Sequence, residues 1–138
     1  MFKKLRKNEK GFTLAELLIV VAIIGVLVAI SIPIFTAQLE KAREATDMAN
    51  IRAAYAEVVA DGLTDPAKTH TAKVTMKQTK NDWQTSDVNI AGIPIASLNS
   101  IAVKGHDVVI TYTPANGTDD ATVTIGGVPV PSTNVSTN

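Results

Sequence analysis

"KGFTLAELLIVVAIIGVLVAISIPIF", residues 10–35, decides the fold. Past its lysine it holds one ionisable side chain, Glu16, ahead of an apolar run from Leu17 to Phe35 that only Ser31 and Pro33 interrupt. Those 19 residues reach bilayer-spanning length and exceed the apolar core of an ordinary cleaved export signal. Small residues near Ala37 offer a conventional cleavage point, but the length favours a retained segment. A carboxylate at the head of such a segment weakens a plain anchor and needs a partner or a task.

Lys3, Lys4, Arg6, Lys7 and Lys10 precede the run against Glu9 alone, so the N-terminal end is expected to stay cytoplasmic. The 138 residues carry 13 basic and 13 acidic side chains, and 8 basic and 12 acidic ones remain beyond residue 11. The chain is thus a basic leader on a mildly acidic body. That body has no basic stripe and no basic–aromatic interleaving, so it offers no direct nucleic-acid site. The absence of cysteine removes a disulfide framework and a thiolate metal site.

"Gly11-Phe12-Thr13-Leu14-Ala15-Glu16" resembles the processing motif of the type IV prepilin family. The resemblance implies cleavage between Gly11 and Phe12 by a dedicated prepilin peptidase, N-methylation of Phe12, and retention of the apolar segment. It implies further that the Phe12 amine of one subunit meets Glu16 of another in the low dielectric of a bundle, setting axial register. The bland alternative makes Glu16 an interfacial residue of an anchor. The Thr13 hydroxyl is expected to satisfy a backbone group in the first helical turn or to sit in a tight helix contact. Gly25 permits close helix approach, and Pro33 removes an internal hydrogen bond and clashes with the preceding turn, so the helix of the isolated subunit is expected to kink there. The family pattern adds local melting between them once the helix enters a filament. The expected assembly residues are therefore Phe12, Glu16, Gly25 and Pro33.

Residues 36–61 have high helix propensity and no glycine or proline. Met48, Ile51, Tyr55, Val58 and Val59 mark an apolar face, flanked by Leu39, Ala42, Ala45, Ala49, Ala53 and Ala56. Glu40, Glu44, Lys41 and Arg43 are expected to face solvent, and Gly62 to cap the helix end. Residues 13–60 then form a nearly continuous helix of roughly 72 Å. The first half of such a rod needs lipid or other rods, which points to assembly independently of the motif.

Beyond Gly62, "LTDPAKTHTAK" reads as a connector. Strands are expected at 73–78, irregularly at 88–95, and as a meander of 100–103, 107–113 and 121–125. The glycine- and proline-rich end argues against a regular last strand, with Val128 and Val130 available for packing. One sheet face should lie on the Met48 to Val59 face, an α+β fold with a long N-terminal helical stem and a small antiparallel β-sheet on its C-terminal half. The resemblance implies the same architecture, the pilin lollipop. The domains expected are a leader at 1–11, a membrane or filament-core helix at 12–35, an amphipathic helix at 36–61 and a β-rich region at 62–138.

No catalytic constellation is present. His70 and His106 lack ligand-spaced partners, His106-Asp107 reads as a turn pair, and Asp119-Asp120 supplies too few oxygens for calcium. Asn116-Gly-Thr and Asn134-Val-Ser match the glycosylation triplet as chance occurrences. Neither an enzyme, a cofactor nor a metal is expected. The resemblance implies a structural subunit of an extracellular type IV pilus, the major pilin first, supporting adhesion or surface motility. The alternative is a pseudopilin or minor pilin of a type II secretion or competence system. Implied partners are identical subunits in a helical filament, the prepilin peptidase and, indirectly, the assembly platform and its ATPase. The precursor would cross the cytoplasmic membrane once, and the product would lie on the cell surface. A never-polymerising anchored receptor would leave the motif and Glu16 without a role.

Overall fold

The structure, a computed structural model, describes residues 11–131. The basic leader residues Lys3 to Lys10 and the Asn134-Val-Ser triplet lie outside the described residues. The fold is a long helix, α1, over Leu14–Thr64, followed by a small antiparallel β region. Two compact units divide between Gln38 and Leu39.

From Leu14 on, the described part of the first unit is helix alone. Its apolar window has a mean hydropathy of 3.1 and no buried residue. The chain stays helical through Pro33. The carbonyl of Ala29, four residues earlier, loses its N–H donor there. Nearby hydroxyls bond to the backbone, Ser31 Oγ to the Leu27 carbonyl at 2.7 Å and Thr36 Oγ1 to the Pro33 carbonyl at 3.0 Å.

The second unit has a hydrophobic core of Met48, Ile51, Ala54 and Val58 from α1 with Val74, Val108, Ile110 and Ile125 from the sheet. Four strands make that sheet: β1 over His70–Thr75, β4 over Asp107–Thr113, β5 over Thr122–Ile125 and β6 over Val128–Pro129. Their order is β1-β4-β5-β6, all antiparallel, with Ile110 opposite Ala72 on one side and Ile125 on the other. Val108 and Ile110 point to the core while Val109 is exposed, the alternation that a half-buried strand requires. A separate hairpin pairs β2 (Asn89–Ile90) with β3 (Ile93–Pro94).

Three expectations fail here. "SIAV" at 100–103 is no strand, because a 3-10 helix occupies Ile95–Ile101. Ile95, Leu98 and Ile101 recur every three residues, the period of that helix, and all three are buried. The first strand of the sheet is instead β1, which starts at His70 rather than at 73 and leaves the ladder after Thr75. Gly62 is no left-handed cap. It lies inside α1, buried, and a Cβ there would fall 2.6–2.8 Å from ring atoms of Tyr112. The glycine serves close approach of strand to helix, and α1 ends only before Pro66, whose ring disfavours helical backbone at Asp65. At the C-terminal end, the two-residue β6 does form, and Val128 and Val130 pack against the core.

Candidate functional site

Two regions of α1 carry the chemistry, and each is described within its own unit. The first is the start of the helix. The Thr13 N–H donates to Glu16 Oε2 at 2.8 Å, and the Glu16 N–H donates to Thr13 Oγ1 at 3.2 Å. This reciprocal pair is a capping box, which satisfies two otherwise orphaned donors of the first turn. The Thr13 hydroxyl thus takes the backbone role expected of it. Glu16 is occupied within its own chain, a role the sequence reading omitted although the Thr-x-x-Glu spacing announces it.

Gly11 is exposed, and Phe12 is 79% exposed. Gly25 has nothing within 4 Å of a Cβ placed on it, leaving its helix face open for a neighbour. Pro33 is exposed as well. Of the residues expected to pack the helix on the sheet, Met48, Ile51 and Val58 are buried. Tyr55 is half-buried against the core and Val59 is half-buried, while Ala54 takes an inward place.

The second region corrects the reading of Glu40 and Glu44. They do not face solvent. With Asp47 they form a buried row on the helix, 2%, 0% and 0% exposed. Their spacing continues the buried stripe of Met48, Ile51, Ala54 and Val58, so one helix face begins acidic and turns apolar. Asp47 accepts the N–H groups of Lys77 and Gln78 at 2.8–2.9 Å. Glu40 accepts those of Thr79 and Lys80 at 2.6 and 2.7 Å, the Thr79 hydroxyl at 2.5 Å and the Arg43 guanidinium at 3.3 Å. Glu44 accepts the N–H groups of Gln84 and Thr85 at 2.7 and 3.1 Å and the Thr85 hydroxyl at 2.9 Å.

This clamp explains where β1 ends. Val74, Met76 and Gln78 continue its inward alternation, but from Lys77 onward the backbone donors turn to helix carboxylates instead of a neighbouring strand. A buried carboxylate is tolerated because it accepts several N–H bonds in its charged form. Burial alone would raise the Glu40 carboxyl. The Thr79 hydroxyl, the Lys80 and Thr79 N–H groups and Arg43 together outweigh it and lower the value from 4.5 to about 2. Acidic residues default to solvent, which is why the row was misread; only its register with Met48 and Ile51 gave it away.

The remaining candidates are structural. Asp107 sits beside the Lys73 ammonium and accepts the Thr75 hydroxyl, which hold its carboxyl below the ordinary aspartate range. It forms no dyad with His106. His70 Nε2 lies 2.9 Å from the Asp65 carbonyl, and its ring is tilted against Tyr112. Asn116 Oδ1 accepts the Thr118 and Asp119 N–H groups, closing an exposed turn that uses Asp119 internally. Among the described residues no group of three acidic or histidine side chains could hold a metal ion.

Residues 6–32 match the family model described as the prokaryotic N-terminal methylation motif. The chain is 42% identical over 59 residues to a fimbrial protein of Pseudomonas aeruginosa, covering 41% of this chain and 38% of that protein. It is 46% identical over 48 residues to the type IV major pilin protein PilA of Myxococcus xanthus, covering 35% and 22%. Over 52 residues it is 48% identical to the type IV narrow pilus major component PilA5 of Thermus thermophilus, covering 36% and 45%. The chain therefore carries the prepilin methylation motif and is similar to type IV pilins and fimbrial proteins in one segment. The matches span less than half the length of these relatives. No solved structure matches.

Proposed function

We propose that this chain is a structural subunit of a type IV pilus, in the role of major pilin. Prepilin peptidase cuts between Gly11 and Phe12 and methylates Phe12. Residues 12–35 hold the precursor in the cytoplasmic membrane and then form the filament core, while 36–61 and 62–138 form the surface-exposed part. In the filament the new Phe12 amine draws a Glu16 carboxylate from its capping box in a neighbouring subunit, and the helix loosens between Gly25 and Pro33. Subunits reach the filament through an assembly platform driven by a separate ATPase. Exposed on the cell surface, the filament supports adhesion or motility.

One observation carries this reading. The matched methylation motif, residues 6–32, runs into a helix that begins at Leu14 and whose apolar window has a mean hydropathy of 3.1 and no buried residue. A side-by-side array of such helices buries what a single chain leaves exposed. Similarity to PilA, a major pilin, and to PilA5, a major pilus component, favours the major role over a minor one. The test is a deletion of the gene in the producing organism with complementation by Glu16→Leu. Loss of surface filaments on deletion, and no restoration by the variant, is the expected result. Undiminished filaments in the deletion strain would move the chain to a minor-pilin or pseudopilin role.

A further inference from the structure

The segment from Trp83 to Asn99 lines an open pocket of about 360 Å³ in the second unit, which borders the carboxylate clamp at Thr85. Trp83, the only tryptophan of the chain, lines it half-buried. Its indole Nε1 donates to the Leu98 carbonyl at 3.2 Å, which fixes the ring and uses its polar atom. Buried Ile95 and half-buried Val88 add apolar wall, while Asp87, Asn89 and Asn99 stand exposed at the lining.

Asp87 takes a φ of 61°, in the left-handed region that aspartate tolerates but seldom adopts. Such strained positions gather at ligand clamps. Its carboxylate makes no ion pair among the described residues, and its one hydrogen bond is a long 3.4 Å contact from the Ser86 hydroxyl. The lining thus offers an apolar wall, the Thr85 and Ser86 hydroxyls already bonded to Glu44 and Asp87, two amides that both donate and accept, one carboxylate that only accepts, and no cation. An anionic ligand meets Asp87 with like charge. A wholly apolar ligand leaves the amides and the carboxylate unpaired.

A neutral sugar ring fits both halves, with a C–H face for the wall and hydroxyls for the polar groups. The volume lies within the range of small-molecule sites, roughly 300–1,000 Å³. We propose that this pocket binds a neutral pyranoside, with Trp83 packing its apolar face and Asp87 accepting hydrogen bonds from its hydroxyls. Asn89 and Asn99 select among hydroxyl orientations. The site does not depend on the role of the chain in a filament.

Trp83 is its own reporter. The full chain in a zwitterionic detergent without a sugar headgroup is titrated with methyl glycosides of glucose, galactose, mannose and N-acetylglucosamine, and in parallel with sialic acid, while its tryptophan emission is read. A saturable change with a Kd of about 1 mM for at least one glycoside is expected, the weak end of specific recognition. Preference for N-acetylglucosamine assigns the site to amino sugars of the cell-wall type, and preference for a hexose assigns it to hexose-bearing glycans. Asp87→Asn keeps a residue that tolerates the left-handed backbone and should raise that Kd about tenfold, as should Asn99→Ala. Circular dichroism confirms that both variants are folded. A linear, non-saturating response to all four sugars, an unchanged Kd in both variants, or tighter binding of sialic acid than of any neutral glycoside overturns the proposal.

Discussion

Glu44→Gln should destabilise the second unit more than Glu40→Gln, although both exchange a carboxylate for an amide of the same shape. Each Glu44 oxygen accepts a different backbone N–H, Oε1 that of Gln84 and Oε2 that of Thr85. No orientation of a glutamine amide serves both, so one donor faces another inside the protein. An unsatisfied buried donor costs about 1–3 kcal/mol, and the lost charge assistance adds to it, giving about 3 kcal/mol in all. At Glu40 both backbone N–H groups meet the same oxygen, Oε1. A glutamine can keep its carbonyl there and turn its NH₂ toward Thr79 Oγ1, whose hydroxyl can reverse and accept. The Arg43 contact and the charge assistance of the remaining bonds are then lost, for about 2 kcal/mol in all. The assay is denaturant unfolding of the full chain in detergent, followed by Trp83 emission, which sits one residue before the Glu44 contacts. A gap of about 1 kcal/mol is measurable against the 5–15 kcal/mol that holds an ordinary domain. Equal costs, or a larger cost at Glu40, would refute the assignment of the two carboxylates.

Three further outcomes are expected. Gly62→Ala places a methyl group 2.6 Å from the Tyr112 ring and should cost about 1–3 kcal/mol by overpacking, with Tyr112→Leu in the same chain recovering part of it in thermal melts. Acid titration should show the contribution of Glu40. Its folded value is depressed, so the stabilisation is full above about pH 4.5 and is lost as the pH falls toward about 2, and Glu40→Gln should flatten that part of the curve. Thr13→Val removes the acceptor for the Glu16 N–H and should fray the first turn by about 1 kcal/mol, read as faster amide exchange at residues 14–17 without change in the second unit.

The helix and the motif were legible because they depend on local pattern: a 19-residue run, apolar but for Ser31 and Pro33, after a glutamate, and glycine before an aromatic. Strand β4 was legible for the same reason, since Val108 and Ile110 alternate cleanly with exposed Val109. What escaped depends on partners far along the chain. Nothing near Glu44 in sequence says that residues 84 and 85 will bring donors to it across forty positions. The role of Gly62 depends on Tyr112 fifty residues away, whereas a local reading sees only a helix followed by a glycine. The 3-10 segment was mistaken for a strand because a short run holding Ile101 and Val103 fits period two, and the longer period of three through Ile95 and Leu98 was not weighed. The capping box at Thr13 and Glu16 stood in plain view, hidden by attention to a partner in another subunit.

The most direct test of the filament role is electron cryo-microscopy of filaments sheared from the producing cells, with mass spectrometry of their subunits. The account predicts long filaments built chiefly of this chain, each copy beginning at N-methyl-Phe12, with the apolar helices bundled at the core and Glu16 beside a neighbouring amine. Filaments made of another subunit would contradict it, and so would copies that keep the peptide bond between Gly11 and Phe12 intact.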